Sequence, residues 1–173
     1  MINTIKTTVV LLLIAASAIL HAQNTQSTDA FKITGKVKNE KVITLADLQR
    51  YKTIELHDVN VTCSPKKEDM VKSVKAVLLR DILDSVAFEY EKSYMLNEYY
   101  FLFVGSDGYK IVFSFNEVYN TEVGNNLFVV TERDGKSISE MENRIMILSA
   151  KDIKAGPRNI KWLSEIVVCR AQQ

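Results

Sequence analysis

Alternation of apolar and polar positions dominates this chain. Phe31, Ile33 and Val37 alternate with polar residues around Gly35 and predict a half-buried first strand, after which Asn39 and Glu40 turn the chain. Thr44-Leu45-Ala46-Asp47 has the form of a capping box, with Leu45, Leu48 and Tyr51 at helical spacing, so a short helix is expected there. Residues 53–62 alternate again, with Ile54 and Leu56 on one face. Val59 and Val61 follow after a one-residue slip, read as a bulge or the end of the strand. Residues 63–70 are polar, contain Pro65 and two lysines, and read as a loop. From Val77 onward the apolar positions 78, 79, 82, 83 and 86 form the stripe of an amphipathic helix.

Residues 99–104 are almost entirely aromatic and aliphatic and predict a buried strand. Ser106-Asp107-Gly108 turns the chain. Tyr109, Ile111, Phe113 and Phe115 then alternate with Lys110, Val112 and Ser114, completing a hairpin with Tyr109 as a core residue. Residues 127–130 and 144–148 give two more short strands with Asp134-Gly135 turning between them, and residues 165–170 give the last. Before that last strand, Gly156-Pro157 makes a turn. Arg158 and Lys161 follow, and Trp162 is expected to anchor the turn in the core. About seven short strands with two or three short helices indicate a β-rich α+β single domain. No repeat or low-complexity stretch interrupts it.

Composition changes the picture mainly at the N-terminus. Lys6 precedes an unbroken apolar and small-residue run over residues 9–20, and Leu20-His21-Ala22 forms a cleavage-site pattern before Gln23. The run is short of the ~20 residues that span a bilayer. Residues 1–22 are therefore expected to be a signal peptide and 23–30 a flexible leader, with the domain over 31–170 and export to the periplasm or outside the cell. The net charge of +1 falls to zero without Lys6, which argues against a nucleic-acid partner or, after cleavage, an anionic membrane. Cys63 and Cys169 both lie in the exported part; whether they form a disulfide is left open by their number and spacing.

The residues exclude several chemistries. His57 is the one histidine after the leader and sits inside a predicted strand, exposed, with no partners for metal or Ser-His-Asp chemistry. Glu140 and Glu142 read as solvated loop residues. Three groupings remain as candidates. One is Ser106-Asp107-Gly108-Tyr109, although a hairpin turn explains all four residues without a ligand. Cys63 sits beside Lys66 and Lys67, whose charge would favour a thiolate able to ligate a soft metal. Arg158 and Lys161, joined by Arg144, are cations able to hold a phosphate if they converge.

The order of these segments resembles the molybdopterin-binding domain of sulfite-oxidase-type oxidoreductases over roughly residues 31–170. The pieces are Gly35-Lys-Val and Leu45-Ala-Asp-Leu, Val77-Leu-Leu-Arg-Asp-Ile-Leu, Ser106-Asp-Gly-Tyr, residues 127–135, and above all Gly156-Pro-Arg-Asn-Ile-Lys-Trp-Leu. The resemblance implies that fold and a molybdenum–molybdopterin cofactor. By position it makes Cys63 the metal ligand and puts Arg144, Arg158, Asn159, Ile160 and Lys161 on the pterin, with Asn126 where the family commonly has an aspartate. The family's Arg-Asn-His segment and the histidine ahead of Arg144 have no counterpart. Two functions are thus expected as alternatives. One is redox chemistry with a small molecule or redox protein as partner; the other is a cofactor-free module that binds a ligand or protein.

Overall fold

The computed structural model describes residues 27–60, 70–154 and 156–171. Among the described residues, ten strands form two five-stranded sheets. In the first, the order is β2 (Lys41–Thr44), β1 (Ala30–Gly35), β10 (Leu163–Arg170), β5 (Tyr99–Gly105) and β6 (Lys110–Ser114). The second runs β3 (Thr53–Asn60), β4 (Met70–Leu78), β7 (Leu127–Arg133), β8 (Lys136–Ser137), with β9 (Met146–Ser149) also on β7. All ladders are antiparallel except β1 with β10. That parallel pair joins the first strand to the last, so the two ends of the chain close one sheet.

The expected β-rich α+β architecture is observed, and burial explains it. Along β5 every second side chain is buried, Phe101 and Phe103 among them, as one covered face requires. All four residues of β9 and Leu127–Val130 of β7 are buried, so both their faces are covered. Among the described residues, three short α-helices join the strands: α1 (Leu45–Leu48), α2 (Leu79–Leu83) and α3 (Phe115–Asn120). The capping box at Thr44 forms as predicted, with the hydroxyl accepting from the Asp47 amide and the Asp47 carboxylate accepting from the Thr44 amide.

Several expectations are corrected. The helix expected from Val77 starts at Leu79, because Val77 and Leu78 end β4. The slip in β3 is not a bulge: its register with β4 is unbroken, and Asp58 adopts φ +52° within it. Phe115 does not continue β6. Ser114 ends the strand and caps α3, its hydroxyl accepting from the Glu117 amide while the Glu117 carboxylate accepts from the Ser114 amide. Residues 27–29, expected as the end of a flexible leader, are fastened to a loop more than a hundred residues away. The Thr28 amide donates to the Arg144 carbonyl at 3.1 Å, the Ile145 amide donates to the Thr28 hydroxyl at 3.1 Å, and the Ser27 hydroxyl donates to the Glu142 carbonyl at 2.9 Å.

Candidate functional site

The basic turn is built between two strands. Gly156–Arg158 forms a single 3-10 turn, Ile160 pairs with Ile147 beside β9, and Leu163 begins β10. Ile160 is fully buried and exchanges backbone hydrogen bonds with Ile147 in both directions. It is a core residue, so only its backbone neighbours reach the surface. Asn159 points its side-chain carbonyl at the Ser149 amide, 3.0 Å away. Asn126 contributes its backbone carbonyl to the adjacent Ala150 amide at 2.9 Å, and its side chain donates to the Glu122 carbonyl at 2.8 Å. Both asparagines therefore brace the end of β9.

Arg158 turns inward toward α3. Its guanidinium lies 3.9 Å from the centroid of the buried Phe113 ring and donates to Glu117 at 2.8 Å. It also contacts Asp152 at 2.8 Å, as a charge contact rather than an aligned hydrogen bond. Burial pushes the Glu117 carboxyl up, but the Ser114 amide, Arg158 and the Ser114 hydroxyl outweigh it and hold it below its ordinary value. Arg144 is equally engaged. It pairs with Asp29 at 2.8 Å and donates to the Ser139 and Met141 carbonyls.

Lys161 goes the other way, onto the surface. With Arg133, Lys136 and Trp162 it lines an open depression of about 560 Å³, walled also by Glu140 and Glu142. Trp162 is not the core anchor expected from its type. It is half-buried, adopts φ +54°, and donates its indole N–H to the Glu142 carbonyl at 2.8 Å. A left-handed conformation is unusual for so bulky a residue, and such conformations concentrate at ligand sites. Two of the acids near the rim are already engaged. Asp134 accepts from the Lys72 and Ser73 amides, and Glu140 caps Ser137, whose hydroxyl holds that carboxyl below its ordinary value. Among the described residues, Arg133, Lys136 and Lys161 take part in no ion pair. Arg133 and Lys136 arrive on the β7–β8 hairpin, and no local pattern along the chain marks them as neighbours of Lys161.

Tyr109, expected in the core, is exposed, and its hydroxyl donates to the Pro157 carbonyl at 2.7 Å. His57 is exposed on β3, as expected. Cys63 lies outside the described residues; Asn60 and Met70, which flank its segment, are register partners at the end of β3 and the start of β4. Cys169 carries a free thiol.

As a cradle for the pterin phosphate of a molybdenum cofactor, the described candidates do not fit together. Arg144 and Arg158 are already paired with carboxylates of the chain itself, and Ile160 is core. Among the described residues, Lys161 is the one charged member of the set that takes part in no ion pair.

No protein-family model matches the chain, and none of the curated proteins matches it in sequence. Among solved structures, the crystal structure of the sulfane dehydrogenase SoxCD from Paracoccus pantotrophus is similar, with a TM-score of 0.55 at 12% identity. The likeness is one of fold. It covers 80% of this chain and 37% of that one, so the chain spans little more than a third of the SoxCD chain. The sulfite-oxidase-type fold expected from the sequence is thus supported as architecture, independently of any activity.

Proposed function

We propose that this protein is an exported binding module that keeps the architecture of a redox enzyme domain without its cofactor. Its ligand is an anion with a flat apolar part, held in the depression around Trp162. One observation carries this reading: within a single turn, Arg158 is neutralised by Glu117 and Asp152 while Lys161 stays free on the depression. A phosphate-binding turn needs its cations available, because charge-assisted hydrogen bonds must outweigh the anion's loss of water. Lys161, Lys136 and Arg133 remain available for a smaller anionic ligand, and Trp162 offers a planar surface beside them.

The test is production of the full chain in a molybdopterin-competent host, followed by elemental analysis and pterin fluorescence. Molybdenum well below one atom per chain, unchanged in Cys63→Ala, is expected. One molybdenum per chain, lost in Cys63→Ala, would overturn the proposal. It would restore the redox reading, which the fold likeness to sulfane dehydrogenase SoxCD favours.

A further inference from the structure

A second depression, sharing no residue with the first, lies where the segment after α2 meets α3. Its floor is aromatic. Phe115 and Tyr119, one turn apart on α3, stack with centroids 4.5 Å apart and planes inclined by 20°. Phe88 meets both edge-on, at 6.1 and 6.3 Å. Phe115 and Tyr119 are only half-buried, and Tyr90, also on the wall, is 47% exposed. On their inner side Phe88, Phe115 and Tyr119 pack against the buried Phe101, and on their outer side they border an open space of about 420 Å³, within the range of small-molecule sites.

The rim of this space carries one charge of each sign. Asp84 accepts a hydrogen bond from the Tyr119 hydroxyl at 3.1 Å, which leaves its second oxygen available. That contact and burial of the ring push the Tyr119 hydroxyl well above its ordinary value, burial being the larger cause, so it stays a donor. Lys38 stands across from this segment, positioned by its amide donating to the Ala87 carbonyl at 2.9 Å and by the pairing of Val37 with Phe88. Among the described residues neither Asp84 nor Lys38 takes part in an ion pair.

We infer that this depression binds a free aromatic amino acid. Its ring lies against Phe88, Phe115, Tyr119 and Tyr90, its ammonium meets Asp84, and its carboxylate meets Lys38. Aromatic walls give the affinity for the ring, and two opposite charges at the rim match a zwitterion better than either single ion. The inference does not depend on the Trp162 depression.

Titration of the isotope-labelled full chain with L-phenylalanine, followed by NMR, tests it. Peaks of residues 84–90 and of α3 are expected to shift together and saturate. Phenylethylamine and 3-phenylpropanoate, which each lack one charge, are expected to bind roughly tenfold more weakly. Asp84→Asn should erase the preference over 3-phenylpropanoate, and Lys38→Ala the preference over phenylethylamine. Both side chains are on the surface, so both variants should fold, which circular dichroism checks. Absence of saturable shifts, equal binding of all three compounds, or shifts scattered over other surfaces would each overturn the assignment.

Discussion

Arg158 and Lys161 are three residues apart, carry the same charge and end in opposite environments. The Arg158 guanidinium rests on a buried phenyl ring between two carboxylates, Glu117 of α3 and Asp152. Lys161 borders open space beside Trp162. Equal charge in a short segment therefore does not mean shared purpose. One cation ties the turn to the body of the domain, and the other stays on the surface. What separates them is the buried Ile160 between, which faces the core and turns the chain over.

This contrast can be broken experimentally. Arg158→Ala should be the more damaging change, because it strands Glu117 and Asp152 and uncovers the Phe113 face. A loss of about 2 kcal/mol is expected from chemical denaturation, below the ~3–5 of a fully buried pair because water reaches the guanidinium. A loss under about 0.5 kcal/mol, the size of an ordinary surface change, would show that Arg158 is not structural.

Acid should act on the same side of the comparison. Glu117 has a carboxyl held below its ordinary 4.5, and Asp47, capped by the Thr44 hydroxyl, is held below its ordinary 3.8. Each stabilises the fold fully above those values, and the contribution fades as pH falls through the depressed folded values. Thermal unfolding followed from pH 6 down to pH 2 should show this limb, and Glu117→Gln should make it shallower. An unchanged limb in that variant would remove Glu117 from the account.

Lys161→Ala should do least to the fold, within about 0.5 kcal/mol. Its effect should instead appear as weakened binding of an aromatic carboxylate probe such as 1-naphthoate, read by Trp162 fluorescence. Loss of stability with unchanged binding would reverse the roles assigned to the two cations.

Much of the architecture was legible because alternation survives wherever one sheet face is covered, as in β1, β5 and β6. It failed in β4. There Val71, Val74, Ala76 and Val77 are buried, a spacing of three, two and one, and the register against β7 shifts between Lys75 and Ala76. The irregularity hides the strand's period and lends its end to a helix-like stripe. The start of α3 was missed for the opposite reason, since Phe115 extends the alternation of β6. The Ser114-x-x-Glu117 pattern was the available signal. The candidate site was legible only in part. Residue types located the turn, but two of Arg158's partners, Phe113 and Glu117, lie more than forty residues earlier, and the carboxylate on Arg144 is that of Asp29, among the first residues of the fold. Such pairings carry no local pattern.

The fastening of residues 27–29 has a practical consequence. One carbonyl, that of Glu142, receives both the Ser27 hydroxyl and the Trp162 indole. The chain thus enters the domain at the very lip of the depression, while Ala171 leaves beside Glu98. A dye attached at Ser27 would sit where a guest arrives and report its coming, whereas one at Ala171 would serve as the silent reference.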